Sequence, residues 1–181
     1  VSLIGAAGCG KTLLAVAAGL EQVLEEGSQE PIYNKLVVSR PIMPMGRDIG
    51  YLPGTMEEKM APWLAPVQDK VLLEMYAEKG IIEIEALTYI RGRSIANAFI
   101  IIDEAQNLSV HELKTIITRV GEGTKIVLTG DIEQIDTVYL DATSNGLSYA
   151  VEKFKEHDLA GHVSLQKGER SKVATLAAKV L

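Results

Sequence analysis

The sequence predicts an α/β fold in which a mostly parallel sheet is covered by helices on both faces. Three observations carry that expectation. Apolar, β-branched runs such as KLVVS, FIIID and KIVLT alternate along the chain with segments of helical spacing. FIIID is apolar on both of its alternating faces, as strands buried from both sides are. A glycine-rich stretch, GAAGCGKT, joins the first apolar run to the first helical one.

In chain order, VSLI (1–4) reads as a strand, followed by the glycine loop. LLAVAAGLEQVLEE then has helical apolar spacing at Leu13, Leu14, Ala17, Leu20 and Leu24, with Gly27 as its stop. KLVVS (35–39) is a second strand, and the prolines and glycines of RPIMPMGRDIGYLPG make a long irregular loop. Thr55 with Glu58 three residues on is a capping pair that opens a helix reaching Lys79, kinked or split at Pro62 and Pro66. A short strand at 82–85 leads to the polar YIRGRS and then to FIIID (99–103). Ser109 with Glu112 repeats the capping pattern before a helix through Arg119, and KIVLT (125–129) is the next strand. A helix at 147–156, a strand HVSLQ (162–166) and a helix from Lys172 complete the series.

The chain of 181 residues, 47% hydrophobic and 23% charged, is of a size for one domain, 1–181, with a real core. It opens on Val1 inside what reads as a strand, with no Met, so the expectation is a part of a longer chain with a segment before it. No apolar run is long enough for a membrane span, no basic stretch precedes the first apolar segment as in a signal peptide, and the single cysteine fits a reducing compartment; the reading is cytoplasmic. Eighteen basic against 24 acidic residues exclude a globally cationic nucleic-acid binder and leave room for local basic patches.

Gly5, Gly10, Lys11 and Thr12 satisfy G-x-x-x-x-G-K-[ST], and Gly8 adds backbone freedom. In such a loop Gly5, Ala6, Ala7, Gly8, Cys9, Gly10, Lys11, Thr12 and Leu13 line the nucleotide, and the backbone N–H groups from Gly8 to Thr12 hold its phosphates at a helix N-terminus. The Lys11 ammonium reaches the outer phosphates, and the Thr12 hydroxyl ligates magnesium. Cys9 is expected to contribute its backbone N–H; a thiol at a helix start can be oxidisable, but this loop position accepts many side chains.

Asp103 stands at the C-terminal end of a buried strand, where open α/β sheets bind ligands, and can hold magnesium through water. The adjacent Glu104 is placed to orient or deprotonate an attacking water, which suits hydrolysis rather than transfer to an acceptor. The next strand ends in Thr129, Gly130 and Asp131, with Gln134 three residues beyond, where a sensor of the γ phosphate would sit.

GAAGCGKT, FIIIDEAQN and LTGDIEQID together resemble the PhoH-like ATPases, whose core is similar to the RecA-type motor domain of superfamily 1 helicases. RPIMPMGRDIGYLPGTMEEKMAPWL and LTYIRGRSIANAFIIIDEAQ are similar to that family's own segments, and the resemblance runs over residues 2–170. It implies a RecA-like P-loop NTPase of three α/β/α layers, with ATP and Mg2+. It also implies hydrolysis through Lys11, Thr12, Asp103 and Glu104, and Gln134 as the sensor. The C-terminal KGERSKVATLAAKVL is most similar to the branch fused to a ribonuclease-like PIN domain and described as RNA-unwinding.

One RecA-like unit supplies half of the two-domain site of such a helicase. The resemblance therefore implies a homo-oligomeric ring, a hexamer, in which a neighbour presents an arginine to the γ phosphate. Arg170 in KGERS is the candidate; its alternative is a surface ion pair with Glu169. Arg40, Arg91 and Arg93 lie on glycine- or proline-bearing loops with Tyr89 and Trp63 near in sequence, which would suit single-stranded RNA. Pairing with Asp48 or Glu85, or contact with ATP, is the alternative. His111, His157 and His162 lack metal-ligand spacing, and the methionines around Met43, Met45, Met56 and Met60 read as packing or an oligomer contact. Two further readings stand beside the hydrolytic motor: a nucleotide-gated scaffold and a P-loop kinase.

Overall fold

A computed structural model describes residues 1–24, 30–41, 75–90, 94–135, 141 and 144–166. Six strands form one sheet: β1 (Ser2–Gly5), β2 (Lys35–Arg40), β3 (Ile82–Ala86), β4 (Ala98–Ile102), β5 (Lys125–Gly130) and β6 (His162–Leu165). Their lateral order is β3-β2-β4-β5-β1-β6, and every pairing is parallel. The helices are α1 (Lys11–Val23), the short α2 (Leu87–Ile90), α3 (Val110–Ile117) and α4 (Gly146–Phe154), with a 3-10 turn at Ala105–Asn107.

Alternate side chains of the central strands feed two separate cores, which makes the unit three-layered. Val37, Ile100, Ile102 and Leu128 point to the face covered by α3 and α4, where Leu113, Ile116 and Leu147 are fully buried. Leu36, Val38, Phe99, Ile101 and Val127 point to the opposite face, covered by α1. A parallel strand with helices on both sides has no solvent face, and β4 is buried along its whole length.

The first helix follows the spacing of its leucines only in part: Leu20 and Leu24 are partly buried against the core. Leu13 and Leu14 are exposed and so is Ala17, while Ala15, Val16, Gly19 and Val23 form the buried stripe. Close approach to the sheet decides this: a Cβ on Gly19 would stand 2.7 Å from Leu36 Cδ1, so the small residues mark the contact. At α3 the expected capping box is present. Ser109 Oγ accepts the Glu112 N–H at 3.3 Å, and the Glu112 carboxylate accepts the Ser109 N–H at 3.0 Å.

Of the remaining expectations, the Thr55 cap, the Pro62 and Pro66 breaks, the methionine segment, Trp63, Gly27 and the helix from Lys172 lie outside the described residues. No helix among the described residues is long and apolar enough to cross a membrane.

Candidate active site

All strands being parallel, their C-terminal ends share one edge of the sheet, and β1, β2, β4 and β5 deliver Gly5, Arg40, Asp103 and Asp131 there. The loop after β1 turns through left-handed Gly8 (φ 81°) and Gly10 (φ 83°), and Gly10 is the residue on which α1 begins, with no side-chain cap. A helix start without a side-chain cap leaves its first amides to a ligand or to solvent. Lys11 is buried, and its Nζ donates to the carbonyls of Gly5 at 2.7 Å and Ala6 at 3.0 Å, with Cys9 Sγ at 3.9 Å. The Cys9 N–H donates to Ala6 O within the loop at 3.3 Å, and Leu13 lies exposed on the first turn of α1.

Asp103 is buried and accepts the Thr12 hydroxyl at 2.9 Å on Oδ1; the Thr129 hydroxyl donates to the same oxygen. Its backbone N–H continues the β2 pairing, donating to Ser39 O at 2.9 Å. The next residue, Glu104, is left-handed at φ 53° and ψ 38°. For a side chain with a Cβ that conformation costs about 1–2 kcal/mol, and such strain gathers at functional positions. Glu104 Oε1 pairs with Arg40 Nη2 at 3.2 Å. The parallel pairing of β2 with β4 brings Arg40 to Glu104, while Asp48 and the Glu85 side chain lie outside what is described.

The end of β5 lies between β1 and β4 and joins the two. Asp131 is buried, with Oδ2 accepting the Ala7 N–H at 2.7 Å and Oδ1 the Glu133 N–H at 3.0 Å. Gln134 is exposed, its backbone N–H donating to Asp131 O at 3.1 Å. Fully buried Gln106 donates to Glu104 Oε2 at 2.7 Å and to Gln134 O at 2.9 Å, and accepts the Asp131 N–H at 3.2 Å. Sequence reasoning passed over Gln106 and gave Thr129 no role. Their signal is faint: a hydroxyl inside the apolar KIVLT and an amide two residues after the Asp-Glu pair.

These residues fit a nucleoside triphosphate with magnesium. The ammonium of Lys11 donates to the uncharged carbonyls of Gly5 and Ala6, and an ammonium held by carbonyls keeps its charge for an anion. The Thr12 hydroxyl and Asp103 carboxylate are a pair of hard oxygen donors 2.9 Å apart, the kind and number that magnesium takes from protein beside phosphate oxygens. Among the described residues no group of three His, Cys, Asp or Glu could hold a metal, so a zinc-type cluster is absent from them. His162 lies on β6, its ring between the hydroxyls of Ser2 at 2.9 Å and Ser164 at 3.0 Å. Arg91, Arg93 and Arg170 lie outside the described residues.

A family model described as "PhoH-like protein" matches residues 1–180. The chain is 58% identical over 192 aligned positions to "Protein PhoH2" of Bacillus subtilis (strain 168), covering 100% of the chain and 42% of that protein. It is 36% identical over 172 positions to "Protein PhoH" of Escherichia coli (strain K12), covering 90% of the chain and 47% of that protein. The chain thus spans less than half the length of these relatives. Among solved structures, the Sulfolobus solfataricus SWI2/SNF2 ATPase core in complex with dsDNA is similar over 96% of this chain and 41% of its own, at TM-score 0.47 and 17% identity.

Proposed function

This chain belongs to the PhoH-like protein family, and on that premise we propose that it is an ATP-hydrolysing motor domain that works on single-stranded RNA. The observation that carries the reading is the meeting of the Thr12 hydroxyl with the Asp103 carboxylate at 2.9 Å, beside a Glu104 already joined through Gln106 to the loop of Gln134. A site for phosphate alone would need the loop; a site for hydrolysis also needs a carboxylate that can direct water and a group that registers the outcome.

Bound ATP with Mg2+ supplies the transferable γ-phosphoryl group and the charge neutralisation that the metal provides. The chain's own residues do the rest. The loop amides and Lys11 bind the phosphates, Thr12 and Asp103 hold magnesium, Glu104 aligns and deprotonates water, and Gln134 reports the state of the γ phosphate to its loop. Arg170 reaches the site of a neighbouring subunit in a hexameric ring, while Arg40, Arg91 and Arg93 contact RNA phosphates.

Phosphate release from ATP by the full-length protein, with no acceptor added and with or without single-stranded RNA, tests the reading. Turnover that RNA raises supports it. Phosphate appearing only when an acceptor is supplied would make the protein a kinase, and slow turnover indifferent to RNA would make it a nucleotide-gated scaffold.

A further inference from the structure

Glu104 sits at the mouth of the site, where its partner Arg40 is half-exposed and the ion pair between them is worth little in water. The firm hold on Glu104 is a different one. Gln106, fully buried beneath the site, uses both amide N–H groups and its carbonyl: Nε2 donates to Glu104 Oε2 and to Gln134 O, and Oε1 accepts the Asp131 N–H. Only one orientation of the amide satisfies these partners. Flipped, its NH2 would face a donor, and its carbonyl would face a carboxylate and a second carbonyl.

The surroundings preserve this placement. A Cβ on Gly130 would collide with Leu147 Cδ2 and stand 2.5 Å from Gln106 Oε1, so the β5 terminus leaves room for both the core leucine and the amide only as glycine. The consequence is mechanical. The carboxylate of Glu104 and the backbone of the Gln134 loop share one buried donor, and a shift of either moves the other.

Resting on the hydrolytic reading above, we propose that Gln106 is the positioning residue of this site: it sets the Glu104 carboxylate for its water and couples that carboxylate to the loop of Gln134. Orientation of a reacting group to within a fraction of an ångström is where rate is gained or lost, while ground-state nucleotide binding depends on the phosphate loop. The role therefore predicts a loss in kcat without a matching loss in affinity.

The test measures kcat for ATP and the Kd of a fluorescent ATP analogue with magnesium in the full-length protein, for wild type, Gln106→Met and Gly130→Ala. Methionine keeps the length of the side chain and loses all three hydrogen bonds; alanine at 130 leaves the amide intact and displaces it. In both, kcat falls roughly 10- to 100-fold while Kd changes by less than about threefold. In a Glu104→Gln background, Gln106→Met produces no further fall, because Gln106 acts through Glu104. A kcat within about twofold of wild type, a parallel loss of affinity and rate, or the same fall in the Glu104→Gln background would each overturn the proposal. Wild-type protein that releases no phosphate would bring down the hydrolytic reading and this inference together; an active wild type with indifferent variants would bring down this inference alone.

Discussion

The carboxylate of Asp131 accepts the backbone N–H of Ala7 at 2.7 Å, tying the phosphate loop that follows β1 to the end of β5 across 124 residues of sequence. The same carboxylate accepts the Glu133 N–H and so also shapes the turn that carries Gln134. One buried acid thus holds the two loops that the proposed function places around the same phosphate.

Removing that acid should loosen both. Asp131→Ala removes a charged acceptor from two part-buried backbone N–H groups, at a cost of about 1 kcal/mol for each hydrogen bond lost. A lowered urea midpoint is expected, with Asp131→Asn, which keeps one acceptor oxygen, between the two. An Asp131→Ala midpoint equal to wild type would show that water or the turn itself satisfies these amides.

Lys11→Ala and Glu104→Gln should both cut turnover to a small residual rate, for different reasons. On the proposed roles, loss of the phosphate-binding Lys11 weakens nucleotide affinity, whereas the amide variant of the water-directing Glu104 should bind ATP as wild type does while kcat falls by roughly 10²–10⁴. Parallel affinity and rate measurements separate the roles. Equal loss of binding in both would remove Glu104 from the chemistry.

Thr12→Val deletes one of the two oxygen donors proposed to hold magnesium while Thr129 continues to hold Asp103. The magnesium concentration for half-maximal activity should rise by about tenfold, the equivalent of losing roughly 1.4 kcal/mol at the metal. Chelation should silence both proteins. An unchanged magnesium requirement would place the metal elsewhere.

Arg40→Ala removes a half-exposed partner of Glu104 and, on the RNA reading, one phosphate contact. Fold stability should move by no more than about 1 kcal/mol, as for exposed ion pairs in general. Binding to a single-stranded RNA probe should weaken, and the slope of log affinity against log salt should fall by about 0.7, one single-strand phosphate contact. An unaltered salt slope would take Arg40 off the RNA path.

Much of this site could be read along the chain because its determinants are local. The spacing of Gly5, Gly10, Lys11 and Thr12, the carboxylates closing FIIID and the Ser109–Glu112 box each need only a few consecutive residues, and each is present as read. Other expectations went astray where packing outweighs pattern. Of the leucines of α1 and its C-terminal cap, Leu20 and Leu24 pack on the core as their spacing suggests, whereas Leu13 and Leu14 are exposed and small Ala15 and Gly19 face the sheet, since helix-to-sheet distance and strand side chains are not written into one helix. The pairing of Arg40 with Glu104, 64 residues on, was not legible along the chain, because it follows from β2 lying beside β4.

By itself the sequence determined the alternation of strand and helix, the phosphate loop and the acids at the strand ends, because dihedral preference, apolar periodicity and capping act over a few residues. Only the tertiary structure decided that β5 lies between β1 and β4. That lateral order sets Thr129 on Asp103, Asp131 on Ala7, and Gln106 between Glu104 and Gln134. The physical reason is that strand order and register follow from the burial of both sheet faces at once, a balance summed over the whole core that no local run of residues contains.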